Sequence, residues 1–246
     1  MTFTLAAIAL AAQIVVNPPV PANEQERREA FRHFMLGREY LTAEKWDKAA
    51  EEFRAAIARD QLFTDAYFNL GHAYMGLQRY ASATQAYQQT LTVSEKIFGM
   101  READRAKTDQ MINDQLKAMR EALAQTARMG AGQRNAVIGI ESRIRELERS
   151  KSALTNRFEP PAQVLLSLGS AHFRNGNADA ARESWERAVK SDSKLGEAWN
   201  NLAVVYLREG RRTDAETAVR NAEKNGFRVN PRLKDDIRGL KVSGSF

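Results

Sequence analysis

The feature that most constrains this chain is one pattern of large and small residues that occurs four times. The number of residues between Gly37 and Gly71 is the same as that between Gly169 and Ala203. Each small residue belongs to a set of four positions, spaced i, i+3, i+4 and i+7, which together make one face of a helix. The four sets are His33, Leu36, Gly37, Tyr40; Tyr67, Leu70, Gly71, Tyr74; Leu165, Leu168, Gly169, His172; and Trp199, Leu202, Ala203, Tyr206.

A second helix follows each set. Each second helix has an alanine and, four positions later, a large residue. The four pairs are Ala49 and Phe53, Ala83 and Tyr87, Ala181 and Trp185, and Ala215 and Val219. A glycine or alanine in the first helix lets the two backbones approach closely. Both Trp185 and Trp199 lie at core positions of the pattern, so truncation of either to alanine is expected to cost about 3–5 kcal/mol.

These residues resemble the tetratricopeptide repeat, a helix–turn–helix unit of about 34 residues. The match covers about 140 residues in four copies. It departs from the family at His33 and His172, which replace a large apolar residue and a tyrosine. The resemblance implies an all-α solenoid of four repeats in two pairs, and a scaffold that binds a protein or peptide. At least three stacked repeats are usually needed to bury a continuous core.

The rest of the chain divides around this pattern. Asn230 and Pro231 suit the start of a last helix that would cap the stack, because asparagine caps helices and proline is favoured in the first turn. The predicted boundaries are a signal peptide at 1–16, a Pro-rich linker at 17–23, repeats one and two at 24–97, a helical insert at 98–160, repeats three and four at 161–229, and a capping helix with tail at 230–246.

The segment 1–16 carries no charge and precedes Pro18 and Pro19. A short apolar stretch followed by small residues is typical of a secretory signal peptide, with Ala9 to Ala11 as the cleavage site. No basic residue precedes Leu5, and the stretch is short for a membrane span. We therefore expect export to the periplasm. The alternatives are that the segment is a membrane anchor, or that it is a tail and the protein is cytoplasmic.

The insert also has a helical pattern, although it does not fit the repeat. Two apolar stripes have coiled-coil spacing and are separated by the glycines of residues 129–135: Ile112, Leu116, Met119, Leu123; and Val137, Ile140, Ile144, Leu147, Leu154. An antiparallel helical hairpin is expected. It is either a spacer that carries the stack from repeat two to repeat three, or a projecting arm for dimerisation or partner capture. If the insert is a spacer, replacing residues 98–158 with a short linker would leave two halves that are each only marginally stable.

A second stripe runs along each first helix. With the Gly or Ala counted as position 8, it occupies positions 2, 5, 9 and 12, and the resemblance implies that it lines a concave binding groove. The candidate binding residues on or beside this stripe are Phe34, Arg38, Leu41, Phe68, Asn69, His72, Met75, Leu166, Phe173, Asn200 and Leu207. About half of the stripe is apolar, so the sequence predicts an apolar peptide or helix as ligand. Phe34 and Phe68 stand where the family's carboxylate clamp has Lys or Asn. The alternative is that other parts of the same chain cover the stripe, so that it binds no ligand.

The composition and the absence of certain motifs exclude several other classes of function. The chain has no cysteine, which excludes disulfides, thiolate metal sites and a cysteine nucleophile. No phosphate-binding loop, metal-binding H-E-x-x-H or G-x-S-x-G motif is present. We therefore expect that the protein is not an enzyme and that it binds no cofactor, metal ion or small-molecule substrate.

Two further functions are consistent with the sequence. One is a structural homo-oligomer formed through the insert. The other is an anionic-surface binder, because the net charge is +6 and arginines recur near the C terminus: Arg211, Arg212, Arg220, Arg228 and Arg232. No aromatic stacking motif accompanies them, so nucleic acid is the less favoured target.

Overall fold

The computed structural model describes residues 21–128, 134–152 and 158–240. Within these ranges the chain forms ten α-helices and no β-strand. The helices are α1 Glu24–Thr42, α2 Trp46–Arg59, α3 Thr64–Gly76, α4 Tyr80–Arg128, α5 Arg134–Ser152, α6 Ala162–Arg174, α7 Ala178–Ser191, α8 Gly196–Arg208, α9 Arg212–Lys224 and α10 Pro231–Gly239. The all-α solenoid predicted from the repeats is confirmed.

Four helical hairpins form the solenoid: α1 with α2, α3 with the start of α4, α6 with α7, and α8 with α9. In three of these hairpins, the glycine of the first helix lies against the large residue of the second: Gly37 against Phe53, Gly71 against Tyr87, and Gly169 against Trp185. A Cβ atom on Gly169 would lie 2.4 Å from Nε1 of Trp185, so only glycine fits there without a shift. The close approach predicted from the sequence is therefore present.

Local signals set the helix boundaries. Asn23 caps α1 through a reciprocal pair of hydrogen bonds with Glu26, and Asn177 caps α7 by accepting from the backbone of Ala180. Asn230 likewise caps α10, which begins at Pro231 as the sequence predicts. The capping helix buries Ile237 against the last repeat, with 2% of its surface exposed.

Some of the predicted features lie outside the described residues. They are the signal peptide, most of the Pro-rich linker, the centre of the glycine break at 129–133, Leu154 of the second coiled-coil stripe, and the end of the tail. Within the described ranges, no helix is both long and apolar enough to span a membrane.

The stack is continuous across the insert. The first part of α4 packs directly against α6, where Tyr87 is 1% exposed and contacts Val164 and Leu168 in one buried cluster. Leu91, one turn further along α4, packs against both this cluster and the core of repeats three and four. Repeat two therefore contacts repeat three without an intervening spacer.

The remainder of α4 leaves the stack and pairs with α5. This α4–α5 arm has a small core of its own, formed by Ile112, Leu116 and Leu147. Arg120 and Glu148 form an ion pair of 2.9 Å across the two helices. The helical hairpin was predicted correctly, and the structure supports a projecting arm. The interpretation as a spacer was wrong. Helix α4 is one 49-residue helix whose first part packs in the solenoid and whose remainder forms the arm with α5.

We expect the solenoid to fold without the arm. The Phe98 and Phe158 rings lie 5.4 Å apart at the base of the arm, so a short Gly/Ser linker can replace residues 99–157. The shortened chain should unfold in one cooperative transition, because the Tyr87 cluster that joins the two halves is retained. Thermal unfolding followed by circular dichroism checks this. Two separate transitions would show that the arm holds the halves together.

Candidate protein-binding face

The predicted binding residues belong to one side of α1, α3, α6 and α8, which we call the first-helix face. Two of them do not face solvent. Phe34 is 8% exposed and lies 4.8 Å from the ring of Phe63, while Leu166 is 3% exposed and belongs to the core around Trp185. The prediction that Phe34 and Leu166 line a binding groove was wrong, because neighbouring helices cover both side chains.

The other predicted residues keep part of their surface in contact with solvent. Arg38 is exposed, and the half-exposed ones are Leu41, Phe68, Asn69, His72, Met75, Phe173, Asn200 and Leu207. Phe68 and Met75 rest on the cluster where α3, α4 and α6 meet. Phe173 and Leu207 rest on the core of repeats three and four. The first-helix face thus offers partly exposed apolar side chains held in place from below.

A polar group lies in the middle of this face. The hydroxyl of Tyr87 is 3.3 Å from Nδ1 of His72, and the Phe68 ring meets the His72 ring edge-on at 4.5 Å. Burial lowers the pKa of His72, since the charged imidazolium loses its hydration, so His72 is neutral near pH 7. A neutral imidazole has one donor and one acceptor nitrogen, and since the Tyr87 hydroxyl lies at Nδ1, the other ring nitrogen is left for a polar contact to a peptide.

The polar neighbours of His72 are less free than the sequence suggests. The side-chain amide of Asn69 donates to the carbonyl oxygen of Asp65 at 2.8 Å, within its own helix. One of its two N–H groups is therefore unavailable to a ligand, whereas the amide oxygen can still accept.

Arg208 is a member of the face that sequence reasoning missed. Its guanidinium carbon lies 4.7 Å from the centre of the Phe173 ring, across from α8 to α6. Arg38 is placed similarly over Phe34, at 5.9 Å. Such cation–π contacts hold a positive charge beside an apolar surface. Arg208 follows the 2, 5, 9, 12 stripe by one residue, so its position in the sequence does not reveal the contact.

Two of the five arginines near the C terminus are engaged in ion pairs with the protein itself. Arg211 forms ion pairs with Glu209 and Asp214, and Arg212 pairs with Glu216 and donates to the carbonyl oxygen of Leu240. Paired charges attract an anionic surface less than free ones. Among the described residues, no group of three or more His, Asp or Glu side chains is arranged to hold a metal ion.

Comparison with known proteins identifies the fold. The sequence profile described as "Tetratricopeptide repeat" matches residues 34–95 and 166–226, which is half of the chain. The chain belongs to the tetratricopeptide repeat family. The two matched ranges lie within the two pairs of repeats and leave out the α4–α5 arm, in agreement with the structure.

Among solved structures, the crystal structure of MamA is similar, with a TM-score of 0.51 and 14% identity over 80% of this chain and 78% of that one. A thermophilic repeat protein of Thermus thermophilus matches with a TM-score of 0.35, 16% identity and coverages of 86% and 98%. PilF of Pseudomonas aeruginosa matches with a TM-score of 0.36, 15% identity and coverages of 85% and 82%. No curated protein sequence matches significantly. As a tetratricopeptide repeat protein, the chain is a scaffold for protein–protein interaction, from a family that is generally not enzymatic.

Proposed function

We propose that this tetratricopeptide repeat protein is an adaptor that holds an apolar peptide or the apolar side of a helix on its first-helix face. The observation that carries the proposal is the set of partly buried apolar side chains Phe68, Met75, Phe173 and Leu207, each of which rests on a buried cluster and keeps some surface in contact with solvent. Partly exposed apolar surface on a firm base is typical of helix-in-groove recognition. His72 and Arg208 add polar contacts that would orient the ligand.

The charges of the face favour an apolar ligand over an acidic one. Arg38 and Arg208 are both stacked on phenylalanine rings, and the carboxylates of Asp65 and Glu197 belong to the same first-helix face. A long acidic tail would therefore meet repulsion as well as attraction. A mainly apolar helix with few charges avoids that cost.

The binding test uses fluorescently labelled peptides and the full chain. An amphipathic helical peptide should bind more tightly than an acidic extended peptide of equal length in fluorescence anisotropy. The double variant Met75→Glu with Leu207→Glu should weaken binding of the helical peptide by at least about tenfold, because it puts carboxylates on the apolar surface.

The matched control for binding is Met111→Glu, which changes an exposed methionine of the α4–α5 arm, 62% of whose surface is accessible. It should leave the affinity unchanged. Circular dichroism establishes that all variants remain helical. Equal affinities of the parent and the double variant would place the binding site elsewhere.

We also propose that the adaptor works in the cell envelope as an assembly factor. The support is the uncharged, apolar start of the sequence followed by prolines. Intact mass measurement on protein recovered from the envelope of the native cell should show a chain that lacks the segment up to the predicted cleavage site at Ala9 to Ala11. Full-length protein recovered only from the cytosol would contradict export.

A second candidate function is a homo-oligomer held together by the α4–α5 arm. The observation that favours it is the separate small core of the arm together with its exposed Met111 and Ile138, which are 62% and 52% accessible. Met111→Cys, the single cysteine in a chain that has none, should give a covalent dimer with a short bismaleimide cross-linker if two arms meet, and absence of that dimer at high concentration would contradict this function.

A further inference from the structure

His72 lies in the middle of the first-helix face, one turn from Phe68 on one side and one turn from Met75 on the other. Its Nδ1 atom is 3.3 Å from the hydroxyl of Tyr87. Its Nε2 atom has no hydrogen-bond partner among the described residues, and none of their fully buried side-chain nitrogen or oxygen atoms lacks one. Nε2 is therefore in contact with solvent, as Phe68 and Met75 are in part.

On the Nδ1 side, the His72 ring meets the interior of the protein. Tyr87 is 1% exposed, and its hydroxyl also interacts with the side chain of Ser167 on α6. Burial raises the pKa of Tyr87, so the hydroxyl keeps its proton and offers no negative charge. The Phe68 ring meets the imidazole edge-on at 4.5 Å. A positive charge on His72 would thus depend on the water at Nε2 for most of its hydration.

No charged group among the described residues compensates for this dependence. The titratable group that faces His72 from α4 is the neutral Tyr87. At the equivalent repeat position, α1 has Arg38 and α6 has a serine, while Asp65 precedes His72 by two turns of α3. Helix α2 packs against a different side of α3, in the core of the first two repeats. Burial is accordingly the cause that lowers the pKa of His72.

We propose that binding of the apolar ligand to the first-helix face displaces a proton from His72 at acid pH, so that acidification weakens binding. The inference rests on the proposed function, since an apolar peptide or helix on this face would cover Nε2 and exclude its water. A backbone carbonyl of the ligand can accept from Nε2–H, but it carries no full charge to balance an imidazolium. The ligand therefore binds neutral His72 in preference to the charged form.

The sign of the pH dependence follows from this preference. Near neutral pH His72 carries no charge, because its pKa is lowered, and the ligand displaces no proton. Below the pKa of the free chain the ring is protonated and the ligand must displace that proton, so the affinity should fall by up to about tenfold per pH unit. By reciprocity, the ligand should lower the pKa of His72 further.

Nuclear magnetic resonance of the full chain measures this link directly. The ring protons of His72 report its pKa in the free chain and with a saturating amphipathic helical peptide of Leu, Ala and Gln, which has blocked termini and no charge of its own. The peptide should lower the pKa of His72. If the peptide binds and that pKa does not fall, the inference is overturned and the proposed function stands. If the peptide does not bind near neutral pH, both are overturned.

Isothermal titration calorimetry with the same peptide tests the pH dependence. The affinity of the parent should fall below the pKa of free His72, whereas His72→Gln should bind with nearly constant affinity, because glutamine takes up no proton. The matched control is His172→Gln, because burial also lowers the pKa of His172, which lies outside the 2, 5, 9, 12 stripe. It should behave like the parent.

A fall in affinity that persists in His72→Gln overturns the proposal, as does one that disappears in His172→Gln alone. Circular dichroism establishes that both variants remain helical. If His72→Gln does not fold, the resonance titration of the parent decides the question by itself.

Discussion

Trp185→Ala should lower the free energy of unfolding by about 3–5 kcal/mol, the loss expected when a buried aromatic side chain is truncated. Trp185 is 3% exposed and packs against Gly169, the glycine of its own repeat. Its indole N–H also donates to the carbonyl oxygen of Leu166 at 3.1 Å. Urea denaturation followed by circular dichroism measures the change.

Trp199→Ala is the matched control, because the sequence pattern gives the two tryptophans equal weight. Trp199 is only partly buried, and its indole N–H donates to the carbonyl oxygen of Ser193 at a more exposed site. Its removal should therefore cost clearly less than that of Trp185. Equal losses would mean that α8 is packed more deeply than the structure shows.

Gly71→Ala should destabilise the chain by about 1–3 kcal/mol, the usual cost of overpacking a tight contact. A Cβ atom at position 71 would lie 2.4 Å from Cε1 of Tyr87. Tyr87 is 1% exposed and belongs to the cluster that joins repeats two and three, so its ring has little room to move. Thermal and urea denaturation should both report the loss.

The same substitution at Gly99 should not destabilise the chain. Gly99 also lies within a helix, α4, but no atom lies within 4 Å of a Cβ built there. Alanine is favoured over glycine in a helix interior by up to about 1 kcal/mol, so Gly99→Ala should be neutral or stabilising. A loss at Gly99 as large as that at Gly71 would show that helix propensity, and not the Tyr87 contact, controls the result.

For the binding face, the structure changes which substitutions are informative. Phe34→Asp would place a carboxylate in the core between Phe53 and Phe63, so a loss of binding in that variant would report unfolding. Met75 and Leu207 are half-exposed at equivalent positions of repeats two and four. They test binding with less risk to the fold.

The sequence by itself determined the helices, their pairing into four hairpins and the cap at Pro231. These features follow from local spacing, because an apolar residue at i, i+3, i+4 and i+7 defines a helix face whatever lies beyond it. The small residue at Gly169 likewise implied a close neighbour. The helical hairpin of the insert was also predictable, from its two apolar stripes.

Only the tertiary structure decided which faces are covered. Phe34 and Phe68 occupy the same repeat position, yet Phe34 lies in the core against the rings of Phe53 and Phe63, whereas Phe68 keeps part of its surface in contact with solvent. Leu36 and Leu70 differ in the opposite sense, because α2 packs on α3 whereas no helix among the described residues packs on α1 in the same way. The insert became an arm because α4 contacts α6 before leaving the solenoid. Burial depends on neighbours that are distant in sequence, and a repeat pattern specifies each unit without specifying what lies beside it.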